Sequence, residues 1–436
     1  MKRRIVAPVL SAIIMGLGQM INRQFFKGLS MALLFIMGLY YAMTNLGPAL
    51  WGLYTLGEKA QHLEKVGRIS KMVPGDHSIF LMVEGLIVLF LIILFVVAYI
   101  LNIRDAYRTA VEIEKGNTPN SFGQTLKGIG ENNFPLLIIS PQLIFLFFFT
   151  VLPLIFSVLI AFTDYSSPKH IPPANLVNWI GFDTFTNLFT LSTWAHTFYG
   201  VFAWTISWAI LSTLSCFFGG FIIAVILQQR GIKFKKFFRT VYMLPFAIPG
   251  FVSLLIMRNL FNAQFGPINQ YLKYFGFDGP PWLSDPTWAK ATVLLVNLWL
   301  GFPISMLMIT GILTTISRDL YEAAEVDGAS GFQKFRMITY PAVMFALTPI
   351  LLSQFAGNFN NFNVIYLMTN GNPVNSEYQF AGHTDILITW LYSLSINNGK
   401  YNFASVVGII IFIILASFSI YNFRRTRFFR EDEINQ

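Results

Sequence analysis

Charge is scarce in this chain. Only 12% of its 436 residues are Asp, Glu, Lys or Arg, whereas 55% are hydrophobic and 45 are Phe. A soluble domain carries about 25% charged residues, so this composition excludes an ordinary soluble fold. The apolar residues gather in runs of the ~20 residues that a helix needs to cross a bilayer. The sequence therefore predicts an all-α membrane protein with several spans.

Reactive and metal-binding groups are also few. The single cysteine, Cys216, lies within an apolar run, so there is no disulfide framework. The five histidines are scattered, and no two have the spacing typical of metal ligands. We find no Ser-His-Asp order, no paired carboxylates and no glycine-rich phosphate loop. The sequence therefore predicts no catalytic residues, no metal and no bound cofactor, and it offers no reactive site for a membrane enzyme or assembly factor.

Eight apolar runs predict membrane spans. They cover about 28–46, 79–101, 135–162, 199–228, 240–261, 289–316, 342–368 and 402–423. An earlier apolar stretch, 5–21, predicts a short membrane-embedded or re-entrant helix that is retained rather than cleaved. These elements divide the chain into an N-terminal membrane region, a core and a tail, at 1–134, 135–425 and 426–436. Gly219 and Gly220, in the fourth run, indicate close helix packing.

The positions of Lys and Arg predict the orientation in a cell membrane. The net charge is +9, and most of the 30 basic residues fall in alternate connecting segments. Basic residues concentrate on the cytoplasmic side of membrane spans, so both termini and the segment 317–341 are expected to be cytoplasmic. This distribution explains the positive charge without nucleic acid as a partner.

Ionisable residues are nearly absent from the predicted spans. The exceptions are Glu84 and Arg258, each near a predicted outer boundary. A secondary carrier coupled to protons or sodium usually keeps carboxylates at mid-membrane. An ion-coupled sugar carrier is therefore a weaker alternative than a permease whose energy comes from another subunit.

The segment 317–341 has the pattern of a helix, a turn and a second helix. Ser317 can cap a short helix that runs to Val326, and Asp327-Gly328 can end it. A second amphipathic stretch follows, and Pro341 suits the first turn of the next span. From the residues alone, an interfacial amphipathic loop without a partner is an open alternative.

This segment resembles the EAA loop of binding-protein-dependent, MetI-like permeases of ABC importers. The matching positions are Glu322, Ala323, Ala324, Asp327, Gly328, Ala329, Ile338 and Pro341. Tyr340 departs from the pattern, because Leu is usual there, but Tyr can also pack at that position. The resemblance implies that the loop docks on a cytoplasmic ATPase, with Glu322 and Asp327 as polar contacts and Gly328 setting the turn.

The same resemblance implies a set of partners. These are a second permease subunit of the same family, two cytoplasmic ATPase subunits, an extracellular sugar-binding protein, an oligosaccharide substrate and membrane lipid. ATP and Mg would be bound by the ATPase subunits, since this chain has no phosphate loop. The expected role is a bacterial transport subunit rather than an enzyme.

The core, roughly 135–425, is similar to the larger permease subunits of maltose and maltodextrin importers. That resemblance assigns sugar contacts to positions in the sixth and seventh predicted spans. They are Asn297, Leu300, Gly301, Asn358 and Asn361. At 1.5 Å per residue, Asn297 and Asn361 would each lie ~30 Å from the loop, and so at a similar depth. Apolar faces for sugar rings could come from Trp299, Phe302, Phe359 and Phe362.

Two departures bear on the substrate. Ile304 and Gly357 stand where those subunits carry aromatic residues. Their loss could widen the site, so another α- or β-linked oligosaccharide is an alternative to maltodextrin. The asparagines could also serve only to hold helices together.

Overall fold

The computed structural model describes residues 3–66, 69–120, 123–124, 134–171, 175–229 and 231–425. The predicted tail, 426–436, lies outside these residues. The chain divides into two compact units, Met1–Gly181 and Phe182–Gln436. The third predicted span therefore groups with the N-terminal region, whereas the sequence assigns it to the core. The division at residue 135 stays a prediction, since a compact unit and a family core need not share a border.

The first unit is built mainly from long apolar helices. Its helices are α1 (Arg3–Ile13), α2 (Leu17–Ile21), α3 (Phe25–Thr55), α4 (Ser78–Glu114), α5 (Phe134–Leu146) and α6 (Leu152–Ile160). A π-helical turn, Phe147–Val151, joins α5 to α6. Between α3 and α4 the antiparallel strands β1 (His62–Val66) and β2 (Ile69–Val73) pair, with His62 opposite Val73.

Helices α3 and α4 form an antiparallel pair. A Cβ on Gly38 would touch the ring of Phe95, and one on Gly85 would touch Leu53, so the two chains run in opposite directions. Helix α4 extends beyond the predicted span 79–101 to Glu114. The added residues include Ala, Arg and Glu, which favour helix, and they continue it where hydropathy has already fallen.

The N-terminal stretch 5–21 forms two helices rather than the single one predicted. The break lies at Gly16, whose φ is +96° and whose added Cβ would lie 2.1 Å from Gly28 O. Glycine is therefore required there both by backbone conformation and by space. Gln19 Nε2 donates to Asn102 O at 3.0 Å and so fixes α2 to α4. Membrane insertion of this stretch stays a prediction.

The second unit contains the remaining helices. They are α7 (Asp183–Thr190), α8 (Ser192–Gln228), α9 (Lys235–Ala247), α10 (Gly250–Leu260), α11 (Pro267–Tyr274), α12 (Pro286–Thr315), α13 (Arg318–Val326), α14 (Gly331–Lys334), α15 (Tyr340–Phe359), α16 (Phe362–Met368), α17 (Leu387–Tyr392) and α18 (Tyr401–Arg425). Two π-helical turns, Phe335–Thr339 and Ser393–Asn397, precede α15 and follow α17.

Helices α8 and α12 pack closely along their lengths. A Cβ on Gly220 would lie 2.6 Å from Met306 N and 2.8 Å from Phe302 O. One on Gly301 would lie 2.6 Å from Cys216 Sγ. The small residues let the two backbones approach, which confirms the packing role predicted for the glycines of the fourth span.

The eight predicted spans correspond to seven single helices and one bent pair of helices. Seven helices of the described ranges are long and apolar enough to cross a membrane, and the pair α9–α10 makes an eighth if it counts as one span. The two halves meet at 91°, so the predicted run 240–261 is not a straight helix. Pro249 explains the bend, because it disfavours helical backbone at Ile248, where φ is −95° and ψ is 135°.

The predicted seventh span, 342–368, is interrupted after Phe359. Asn361 instead caps α16, its Oδ1 accepting a hydrogen bond from Val364 N at 3.4 Å. Three of the four residues 358–361 are Asn, whose side chains compete with the backbone for hydrogen bonds. That competition ends α15 within a stretch that hydropathy alone makes continuous.

A buried carboxylate, Asp385, holds together the connection 369–386 between α16 and α17. Asp385 accepts a hydrogen bond from Gly382 N at 2.7 Å and lies against Gly371. Loss of hydration raises the pKa of Asp385 to about 6, against the opposing hydrogen bonds from Gly382 and Thr389.

Replacing Gly220 by Ala should destabilise the second unit by about 1–3 kcal/mol, the usual cost of overpacking a helix contact. The matched control is Gly311→Ala in α12, where an added Cβ meets nothing within 4 Å. Thermal unfolding of the purified chain in detergent measures both. Equal melting temperatures for the two variants would contradict the packing described for α8 and α12.

The buried carboxylate predicts a pH dependence of stability. Because the pKa of Asp385 rises from 3.8 to about 6 on folding, the folded state binds the proton more tightly. The free energy of unfolding should therefore fall as pH rises from about 4 to about 6, by up to about 3 kcal/mol, and then level off. Melting curves of Asp385→Asn should lack this slope, while the exposed control Asp278→Asn should keep it. A slope shared by both variants would assign it to other groups.

Candidate functional site

The 317–341 loop folds as its sequence predicts. Ser317 Oγ accepts a hydrogen bond from Asp319 N at 3.2 Å and caps α13. The helix ends at Asp327, and Gly328 follows with φ of +76°. Pro341 lies in the first turn of α15. The helix–turn–helix is therefore confirmed.

The outer surface of this loop combines acidic and apolar groups. Glu322, Ala323, Asp327 and Gly328 are exposed, whereas Ala324 and Ile338 are half-buried. Four large apolar side chains that the motif does not include are exposed as well: Val326 at 89%, Met337 at 76%, Phe332 at 69% and Leu320 at 55%. Isolated exposed apolar side chains are common, but here they flank the exposed acids on one short loop. This surface can offer both polar and apolar contacts.

Two side-chain contacts brace the loop from within. Tyr321 Oη and Thr339 Oγ1 are 2.9 Å apart, which joins α13 to the turn that precedes α15. Lys334 Nζ donates to Glu325 Oε1 at 2.7 Å, which joins α13 to α14. Beneath them a cavity of about 630 Å³ is bounded by the loop and the adjoining ends of α8 and α12. The departure Tyr340 packs its ring about 6.3 Å from the ring of Phe221, as expected for an apolar position.

The predicted sugar-contacting asparagines come together. Asn361 Nδ2 donates to Asn297 Oδ1 at 3.4 Å, so the N-terminal cap of α16 contacts the middle of α12. Asn358, at the end of α15, donates through Nδ2 to Thr213 Oγ1 of α8 at 3.0 Å. Its backbone oxygen accepts from Trp208 Nε1 at 2.9 Å. The equal depth predicted for Asn297 and Asn361 is confirmed by their contact.

The other two predicted positions lie on the same stretch of α12. Leu300 packs at the edge of a core that includes Trp208, Val364 and Ile365. Gly301 is the point where Cys216 of α8 approaches, and Asn297 Nδ2 lies 3.8 Å from the same sulfur. Leu300, Gly301 and Cys216 therefore form the surroundings of the asparagines in the candidate sugar site.

The four aromatic residues predicted to contact sugar rings are not equally accessible. Phe359 is only 1% exposed, and Trp299 and Phe302 line an apolar groove with Gly219. Because Phe359 has almost no free face, its predicted stacking role is wrong for this structure. Phe362 instead belongs to an aromatic cluster whose other members were not predicted from the sequence.

That cluster stands beside Asn361. Phe362 stacks on Tyr366 with ring centroids 4.7 Å apart, and Tyr392 of α17 lies 5.1 Å from both rings. The two tyrosine hydroxyls are 3.5 Å apart. Tyr366 follows Phe362 at the i, i+4 spacing of a helix, which was a visible signal, whereas Tyr392 reaches the cluster only through tertiary folding.

The contributions of α8 were also missed. Trp208, Thr213 and Cys216 all contact the asparagine positions, yet no motif marks them. The available signal was weak: the three residues lie five and three positions apart in one predicted span, which also contains several Ser and Thr residues.

Comparison with known proteins gives consistent matches. The family described as binding-protein-dependent transport system inner membrane component matches residues 217–426. The chain is 40% identical to the galactooligosaccharides transport system permease protein of Bacillus subtilis strain 168, over 99% of this chain and all of that protein. It is 38% identical to a maltodextrin transport system permease protein of Streptococcus pneumoniae, over 98% of this chain and 97% of that protein.

A solved structure shares the fold. A chain of a bacterial ABC transporter involved in the import of the acidic polysaccharide alginate superposes with a TM-score of 0.56 at 22% identity, covering 69% of this chain and 99% of that one. With the whole-length relatives above, the exposed 317–341 loop and the family match that includes it lead to one assignment. The chain belongs to the binding-protein-dependent transport system inner membrane components, the multi-pass permease subunits of bacterial ABC importers.

Proposed function

We propose that this permease translocates a neutral oligosaccharide across the cell membrane, driven by ATP hydrolysis in two partner ATPase subunits. A second permease subunit of the same family would complete the pathway, and an extracellular binding protein would deliver the sugar. The relatives named for galactooligosaccharide and maltodextrin transport support this substrate class. The observation that carries the proposal is the meeting of Asn297 and Asn361 beside an aromatic cluster.

The chemistry of that cluster suits a neutral sugar. Amides both donate and accept hydrogen bonds, as sugar hydroxyls require. The bond between Asn361 and Asn297 is long, at 3.4 Å, and bonds of that length are weak. A sugar hydroxyl could therefore replace it at small cost. Phe362 and Tyr366 would supply the apolar surface, and the residues named here carry no charge that would select an acidic sugar.

Maltodextrin is the proposed sugar, and a galacto-oligosaccharide is the second candidate. The relative named for galactooligosaccharides is 40% identical over essentially the whole chain. Gly357 also favours a sugar site that differs from that of maltodextrin permeases, because a Cβ there would meet nothing within 4 Å. Open space at a position where maltodextrin permeases carry an aromatic ring would admit a differently linked sugar.

The 317–341 loop is the proposed docking surface for an ATPase subunit. Its exposed Glu322, Ala323 and Asp327 would make the contacts, and Ala324, Ile338 and Pro341 would hold the backbone that presents them. The excess of Lys and Arg in this and the alternate connecting segments supports a cytoplasmic loop and cytoplasmic termini.

Replacing Gly328 by Val should abolish co-purification of the ATPase subunits while leaving the permease in the membrane. A β-branched residue is strongly disfavoured at φ of +76°, so the turn between α13 and α14 would shift. Gly328→Asn should bind the ATPase nearly normally, because Asn tolerates this conformation. The control Gly331→Ala lies three residues on, without a positive φ or a close neighbour. A normal ATPase complement with Gly328→Val would remove the docking role.

Replacing Asn361 by Ala should lower oligosaccharide uptake by about tenfold, the effect of losing one or two hydrogen bonds to the sugar. The matched control is Asn363→Ala, an exposed asparagine on the same short helix. Uptake of labelled maltodextrin and of galacto-oligosaccharide is measured in cells that contain the complete importer, and co-purified ATPase reports assembly.

Comparing uptake of the two sugars distinguishes the two candidate substrates. Maltodextrin uptake that depends on Asn361 supports the proposal, and uptake of the galacto-oligosaccharide alone would favour the second candidate. If Asn361→Ala and Asn363→Ala transport equally, the asparagine pair only holds helices together. Asn358→Ala should show a mixed loss of uptake and assembly, because its amide also bonds Thr213.

A further inference from the structure

A polar cavity lies in the first unit, where α3 begins and α4 ends. Its volume is about 430 Å³, and the segment 117–120 closes one side. The side chains that matter for its chemistry are Gln24, Lys27, Asp105, Arg108 and Glu112. No part of the transport proposal uses this cavity.

Both carboxylates of the cavity are already neutralised. Lys27 Nζ donates to Asp105 Oδ1 at 2.8 Å, and this lysine is buried. Glu112 accepts from Lys115 Nζ at 2.9 Å and from Asn117 Nδ2 at 2.6 Å. A cationic group of a ligand would therefore have to compete with an existing ion pair at either acid.

Three side chains of the cavity have hydrogen-bonding groups without a partner. Gln24 is 6% exposed, and its Nε2 donates to Asn120 O at 2.8 Å, but its buried Oε1 has no hydrogen-bond partner within the described ranges. A buried acceptor without a hydrogen-bond partner is destabilising, so a ligand that donates to it would gain affinity. Arg108 has no ion-pair or hydrogen-bond partner among the same residues, and Lys27 uses one of its three donors on Asp105. The cavity therefore fits a ligand with an anionic group and a hydrogen-bond donor.

The cavity also lies where a membrane meets water. Helix α4 has 37 residues, or ~55 Å, which is longer than the ~30 Å hydrocarbon core. Its apolar run ends before Asn102, so Asp105 and Arg108 lie beyond that core. Phe25 and Phe26 are exposed at the start of the neighbouring helix, which gives acyl chains an apolar surface beside the cavity.

We propose that this cavity binds the headgroup of an anionic phospholipid with hydroxyl groups, of the phosphatidylglycerol type. The phosphate would pair with Arg108 and the spare donors of Lys27, and a headgroup hydroxyl would donate to Gln24 Oε1. Charge decides between lipid classes, because among the described residues that line the cavity Arg108 is a cation without a partner and both acids are occupied. A zwitterionic headgroup would bring an ammonium group that finds no free carboxylate.

Native mass spectrometry of the purified full-length chain tests this site. The probes are phosphatidylglycerol, phosphatidylethanolamine and phosphatidic acid with identical acyl chains, and soluble glycerol 3-phosphate. Wild-type protein should retain phosphatidylglycerol best. Arg108→Gln should weaken that binding about tenfold, as expected for one lost charge-assisted hydrogen bond. Arg104→Gln is the matched control, because Arg104 is exposed one turn away and does not line the cavity.

A second variant tests the hydroxyl contact. Gln24→Leu should remove the preference for phosphatidylglycerol over phosphatidic acid, which has no headgroup alcohol. If this buried replacement prevents folding, the comparison of Arg108→Gln with Arg104→Gln still decides.

Three results would overturn the proposal. They are equal binding of phosphatidylglycerol and phosphatidylethanolamine, equal effects of the two arginine variants, and binding of soluble glycerol 3-phosphate as tight as that of the lipid. The last result would assign the cavity to a free phosphate ester rather than to a membrane lipid.

Discussion

The close approach of α8 and α12 is the contact on which the second unit depends. A side chain at Gly220 would meet the backbone of α12, and one at Gly301 would meet the side chain of Cys216 in α8. Without a hydrophobic driving force between helices inside a bilayer, such van der Waals contact is a main source of association. It also brings Cys216 and Thr213 of α8 against the asparagine positions of α12 and α15. The packing that holds the unit together thus also builds the candidate site.

The sequence predicted features that depend on composition or on short-range chemistry. Hydropathy is sufficient for eight spans, because a bilayer requires long apolar helices. The turn at Asp327-Gly328 and the cap at Ser317 follow from local backbone preferences, and both appear in the structure. The similar height of Asn297 and Asn361 follows from the similar chain lengths on either side of the 317–341 loop, whereas their contact depends on how the helices pack.

Other features could not be predicted from hydropathy. Some depend on tertiary contacts, and others on Pro or Asn residues that interrupt a helix within an apolar run. Pro249 bends one apolar run by 91°, and Asn360-Asn361 interrupts another. Tyr392 reaches Phe362 and Tyr366 from a distant part of the chain, so no local spacing marks it. The sequence also misplaced Phe359, since helix periodicity does not tell which face will be covered.

The brace between Tyr321 and Thr339 has a mechanical consequence. It ties α13 to the start of α15, which then runs from Tyr340 to Phe359, a length of ~30 Å. If the loop end acts as a pivot, a tilt of about 5° would carry the far end of a rod of that length by roughly 2.5 Å. A displacement of that size exceeds what the 3.4 Å contact between Asn361 and Asn297 can tolerate. Under such a rotation, α15 would act as a lever that turns a small tilt at the loop into the breaking of a single hydrogen bond just beyond its far end.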